Sequence, residues 1–166
     1  MRNIIWASIL FCSSIHAMDI PVNEVRLLFN KSATNEESCK KLMSALNQYN
    51  ETNNSTLAAY KACATMMMAN HVVNPLSKLS SFNEGKELLE KCVAADKENT
   101  EIRYLRFIIQ TNVPAFLGYN ISISNDKTFL LNAISGLKDL PLRQMIVSFL
   151  KSSEYLSPIE KQNLKS

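Results

Sequence analysis

Apolar residues recur at three- and four-residue spacing along most of the chain, and capping residues cut that rhythm into segments. In "PVNEVRLLFNK" (21–31) the spacing puts Val22, Val25, Leu28 and Phe29 on one helical face, with Pro21 at the start. Thr34-Asn35-Glu36-Glu37 has the form of a capping box, in which Thr34 and Glu37 satisfy free backbone amides. It predicts a helix with Cys39, Leu42, Met43 and Leu46 on one stripe, ended by the Asn-rich "NQYNETNNST". A third helix is expected from about Thr56 to Val72, with Asn74-Pro75 as its stop. Ser81-Phe82-Asn83-Glu84 has the same capping form and predicts a helix reaching Ala95. Further helices are expected over Thr100 to Val113, over Asn125 to Ser135 with Gly136 as a C-terminal cap, and over Pro141 to Tyr155. Ser157-Pro158-Ile159-Glu160 predicts a short last helix. No stretch alternates with period two for long; "YNISIS" (119–124) is the one candidate strand, too short to build a sheet.

The expected fold is therefore all-α: an antiparallel array of seven or eight helices in a single domain, residues 18–166. Composition agrees. The chain has 166 residues with only three Gly and five Pro, and its hydrophobic and charged fractions, 46% and 20%, are those of a globular domain. The net charge of +3 comes from scattered residues, which argues against a nucleic-acid partner.

The first residues read differently. Arg2 precedes the apolar run "IIWASILFC" (4–12), too short to cross a bilayer, and "SSIHA" follows with small residues. This is the pattern of a secretory signal peptide over residues 1–17, cut near Ala17. Cys12 raises a lipoprotein alternative, against which Leu10-Phe11 stand in place of small residues. The expected mature protein is exported, periplasmic or secreted, and soluble, with no transmembrane segment. It keeps Cys39, Cys63 and Cys92, an odd number that leaves at least one thiol unpaired within the chain. A Cys39–Cys63 bridge stays open. Asn-x-Ser/Thr triplets at Asn30, Asn50, Asn53, Asn54 and Asn120 would be glycosylation candidates in a eukaryotic secretory path and chance products in a bacterium.

In "GKELLEKCVAADKENTEIRYL" (85–105) Gly85, Leu89 and Cys92 stand as small, large and small residues on one helix, followed by the turn "DKEN" (96–99). The segment resembles the second helix of a tetratricopeptide repeat and the entry to the next, with Lys97 where that family has Pro. The resemblance implies a tetratricopeptide-like α-solenoid with helix 56–72 as the packing partner. More widely, "MANHVVNPLSKLSSFNEGKELLEKCV" and "ENTEIRYLRFIIQTNVPAFLGYN" resemble a family of small exported bacterial proteins of tetratricopeptide-like fold. That resemblance implies an envelope location in a Gram-negative cell and brings no mechanism.

Candidate chemistry is thin. Cys63, Met67 and His71 are spaced four and four, soft ligands on one helical side that would suit copper. Yet Cys63 and His71 lie about 12 Å apart along a helix, too far for one ion. The favoured reading makes Ala59, Ala62, Cys63, Met66, Met67 and Val73 core packing and His71 a helix C-terminal cap. Arg103, Arg106 and Gln110 form the polar side of an otherwise apolar helix. They either pair with carboxylates, with Glu84, Glu87 and Glu101 as candidates, or line a groove for a partner's carboxylate. Phe116, Leu117 and Tyr119 anchor a loop to the core or form a binding surface. No catalytic, cofactor or metal motif is legible. The expectation is a non-catalytic module for an unknown protein or peptide partner, touched through Arg103, Arg106, Gln110 and Tyr119. The alternative is a ligand-binding or catalytic pocket around Arg103, Arg106, His71 and Tyr119.

Overall fold

The computed structural model describes residues 20–164 of the chain; the signal-peptide reading and Cys12 lie outside the described residues. Within them the protein is an all-α array of eight helices with no strand. These are α1 (Val22–Ser32), α2 (Glu36–Ala45), α3 (Ser55–Met68), α4 (Pro75–Ala95), α5 (Thr100–Asn112), α6 (Ile123–Ala133), α7 (Leu140–Ser152) and α8 (Pro158–Asn163). Short 3₁₀ turns, Ala115–Leu117 and Ile134–Gly136, follow α5 and α6. "YNISIS" is no strand: it is loop and turn that runs into α6.

Asparagine opens four of these eight helices. Asn35, Asn54, Asn74 and Asn99 each accept backbone N–H bonds from the first turn that follows. Two expected starts are corrected by this. The cap of α2 is Asn35, whose side-chain Oδ1 accepts from the Ser38 amide at 2.7 Å, and not Thr34. The helix expected from Ser81 begins at Pro75, because Asn74 caps it and Pro fits the first helical position. Asn74-Pro75 thus starts α4 rather than stopping α3, which ends at Met68. Gly136 is no left-handed cap either; the one positive φ among the described residues is at Gly118, 62°. The Ser157 capping box is present in full.

That box has a measurable consequence. The Glu160 carboxyl is lowered from 4.5 to about 2, first by the Ser157 amide and then by Lys127. A carboxylate lowered in the folded state adds stability that is present above its unfolded value and is lost as pH falls through the folded one. The protection factors of the α8 amides, with the intrinsic pH dependence of exchange divided out, should therefore fall as pH drops from 4.5 toward 2; unchanged protection across that window would contradict the assignment.

Adjacent helices pair as α1 on α2, α3 on α4 and α5 on α6, and α3 also touches α1, α2 and α5. The α3–α4 pair makes the most extensive contact. Gly85 makes this approach possible: a Cβ there would lie 2.4 Å from the Ala62 carbonyl oxygen and 2.9 Å from the Met66 nitrogen. At the other end of the pair, Asn99 donates to the Thr56 hydroxyl at 3.1 Å and to Asp96, so the "DKEN" turn is pinned to the start of α3. Cys63, Leu89 and Cys92 are all fully buried in this interface region.

Two apolar cores share α5. Ile102, Leu105 and Ile109 face the core of α1–α4; Tyr104 and Phe107 face Leu130, Ile146 and Leu150 of α6 and α7. Enclosure of α5 on most sides matches its sequence. One position inside it is costly: Gln110 is 2% exposed and neither its amide nitrogen nor its oxygen has a partner among the described residues. An unsatisfied buried amide costs roughly 1–3 kcal/mol. Gln110→Met, close in shape, should raise the thermal midpoint; a fall would show that the amide makes a bond essential to the fold.

Candidate functional site

The arginines read from the sequence are paired inside the protein. Arg106 gives Nε and Nη2 to the two oxygens of Asp126 at 2.7 and 2.9 Å, and Nη1 to Glu90 at 2.9 Å. Arg103 donates Nε to the same Asp126, and its guanidinium stacks 4.6 Å from the Phe129 ring centre. Tyr119 donates its hydroxyl to Glu90 at 2.6 Å. Burial disfavours charge on Arg106, but the hydrogen bonds and attraction of Asp126 and Glu90 outweigh it, so the guanidinium is held charged. Burial first, then the bond to Glu90, pushes the Tyr119 hydroxyl far above its ordinary value. Pairing is thus the observed arrangement, with Glu90 and Asp126 in the places expected for Glu84 and Glu87.

Glu101 belongs to a second buried pair that the sequence reading missed. Arg26 donates Nε and Nη2 to its two oxygens at 2.7 and 2.8 Å and reaches Asp139 at 2.9 Å, while Tyr60 donates to Glu101 at 2.6 Å. These bonds tie α1, α3, α5 and the cap of α7 together.

Of the four groups in the alternative pocket, Arg103, Arg106 and Tyr119 meet in the first network. His71 lies apart. It is beyond the end of α3, and its Nε2 is 2.9 Å from the carbonyl of Ser32, the last residue of α1. It therefore caps a helix C-terminus, but that of α1, not its own. Cys63 is fully buried, and Met67 is half-buried in the wall of a groove, so the three soft ligands have separate surroundings. Val73 is 93% exposed and is not core packing.

All three described cysteines are free thiols, which leaves the Cys39–Cys63 pairing unmade; Cys39 donates to the Ala64 carbonyl at 3.2 Å. Burial raises Cys39 to about 11, Cys92 to about 12, and Cys63 well above the ordinary thiol value. Since the thiolate is the reactive form, iodoacetamide should label none of them at neutral pH until denaturant is added. Fast labelling of the folded chain would contradict this burial.

The open feature is an apolar groove of about 910 Å³. Its floor is Phe29 of α1, Met66 and Met67 of α3, Phe82 of α4 and Ile108 and Ile109 of α5. Its two lips stand out. One is the start of α4: with Gly85 against Ala62 and Met66, antiparallel packing carries residues 75–80 past the end of α3. All of residues 74–80 are exposed, including Leu76 (78%) and Leu79 (48%). The other lip is the 3₁₀ turn after α5. There Phe116 is 86% exposed, while Leu117 beside it packs on the core and Tyr119 is fixed by Glu90. The loop residues thus divide, Tyr119 anchoring and Phe116 standing at the opening. A second hollow of about 720 Å³ adjoins between α1 and α7 and shares Asn30, Tyr104 and Phe149. Arg103, Arg106, Gln110 and Tyr119 line neither space.

No helix among the described residues is long and apolar enough to cross a membrane, and no group of three or more His, Cys, Asp or Glu is placed to hold a metal ion. Comparison with protein-family models, curated proteins and solved structures finds no significant match to this chain. The class defined by its geometry is an all-α helical array with an apolar groove beside α3, α4 and α5.

Proposed function

We propose that the protein is a non-catalytic, exported interaction module that receives an apolar segment of a protein or peptide in the groove between α1, α3, α4, α5 and the Phe116 turn. The observation that carries the reading is the exposure of Leu79 and Phe116, which both line a space floored by aromatic, Met and Ile side chains. Large apolar groups standing free around a concavity are what a partner covers. The arginines first offered as partner contacts have another role in this reading. With Tyr119 they hold α4, α5, α6 and the Phe116 turn in place and so fix the groove's width.

Successive helix pairs and the small residues Gly85 and Cys92 at the α3–α4 contact favour a tetratricopeptide-like arrangement. The "SSIHA" motif after a short apolar run favours export to the periplasm or the medium.

Selection from a library of displayed peptides tests the function, with the double variant Leu79→Asp, Phe116→Ser as counter-selection. Enriched peptides should carry apolar residues at helical spacing and lose binding to the variant. Absence of enrichment, or equal binding to both proteins, would overturn the reading.

A further inference from the structure

The groove has a sign. None of the chain's 15 Asp and Glu residues falls in 25–35, 52–83, 107–125 or 140–153. Those four segments supply every lining residue except Tyr104. The same segments hold Arg26, Lys31, Lys61, His71, Lys78, Arg143 and Lys151. Three of these are held by groups named above or by backbone carbonyls. Arg26 is held by Glu101 and Asp139, Lys61 by the carbonyls of Asn47 and Tyr49, and His71 by Ser32. Lys78 differs: it lines the groove on the overhanging turn of α4, between Leu76 and Leu79, and makes no ion pair among the described residues.

The lip is also helical and unpartnered. Leu76 and Leu79 are three apart on a helix that continues past its own packing partner. Such a stripe in a globular chain is normally covered by another helix. An apolar groove between helices, with a free helical stripe along its edge, is the receiving half of the helix-in-groove mode of recognition.

Resting on the function proposed above, we infer that the occupant is an amphipathic helix of another protein that carries acidic residues beside its apolar stripe. Its apolar residues enter between Leu79 and Phe116, and a Glu or Asp on its flank meets Lys78 at the lip. A basic helix of the same apolar pattern gains nothing there, because the groove segments hold no carboxylate to receive it. Complementary charge at the edge of an interface acts mainly on encounter rate and orientation, so its effect is modest and salt-dependent.

The test uses the full mature chain and two synthetic helical peptides with one Leu stripe, flanked by Glu in one and by Lys in the other. Fluorescence anisotropy should give the Glu peptide an advantage of about three- to tenfold at low salt, shrinking as salt is added. Lys78→Glu should reverse the order. Equal affinities for the two peptides, both lost with Leu79→Asp, would sink the acidic partner and leave the groove function standing. If neither peptide is affected by Leu79→Asp or Phe116→Ser, the groove function falls as well. A dimer in sedimentation that dissociates with Leu79→Asp would replace the inferred occupant by a second copy. Binding of wild type, but not of that variant, to phosphatidylglycerol vesicles would replace it by a lipid surface.

Discussion

Asp126→Ala should lower the unfolding free energy by about 3–5 kcal/mol, the loss expected when one partner of a buried ion pair is removed. Asp126 is fully buried and accepts from both Arg103 and Arg106. Its removal leaves Arg106, itself 7% exposed, with Glu90 alone, and leaves Arg103 with only the Lys97 carbonyl and the Phe129 ring. Two guanidinium groups would then be short of the charge that offsets their burial. The exposed pair Glu87–Lys91 is the control; an exposed i,i+4 pair contributes little, so Glu87→Ala should leave the urea midpoint where it is. A loss with Asp126→Ala no greater than with Glu87→Ala would show that water, not the carboxylate, solvates these arginines.

Gly85→Ala should destabilise by about 1–3 kcal/mol, against the usual direction of a Gly-to-Ala change in a helix, which gains about 1 kcal/mol. The added methyl would meet the Ala62 carbonyl oxygen at 2.4 Å, the Met66 nitrogen at 2.9 Å and the Met66 Cγ at 2.6 Å. The Met66 side chain can swing aside, but the two backbone atoms move only if α3 and α4 separate. Met66→Ala in the same chain should therefore not restore the loss, since the backbone clash remains and the buried Met66 packing goes. Gly136→Ala is the matched control: nothing lies within 4 Å of its added carbon, so no comparable loss is expected. Thermal midpoints of the three variants decide the matter, and a Gly85→Ala protein as stable as wild type would mean the helices are not nested as described.

What the sequence made legible were features that depend on neighbours along the chain. The all-α class follows from apolar spacing and scarce Gly. The Ser157 box is local, and it is present. So is the small-large-small spacing of Gly85, Leu89 and Cys92, all buried. The errors at helix starts share one physical source. Asn caps a helix about as well as Ser or Thr, so Asn35 and Asn74 served where hydroxyls were expected, and a Ser-x-x-Glu pattern inside a longer helix marks no start. Partners across the fold were less legible. Arg103 and Arg106 were seen to need carboxylates, yet Asp126 lies on another helix and Glu90 on a third. Arg26 sits on a stripe that reads as Val22, Val25, Leu28 and Phe29. Its burial depends on Glu101, 75 residues away, and no periodicity reports that. The groove was least legible. It arises because α4 outruns α3, a length mismatch visible only once the true start of α4 at Pro75 is known.

Methyl NMR tests the central claim most directly: that the space between the α4 overhang and the Phe116 turn is where this protein meets its partner. With the Met, Ile and Leu methyls labelled, a helical peptide bearing a Leu stripe and Glu flanks is titrated into the protein. The groove account predicts shifts at Met66, Met67, Leu79, Ile108 and Leu117, and none at Ile146 or Leu150 in the second core. Shifts confined to that second core or spread evenly over the molecule, or no shifts at all at saturating peptide, would contradict it.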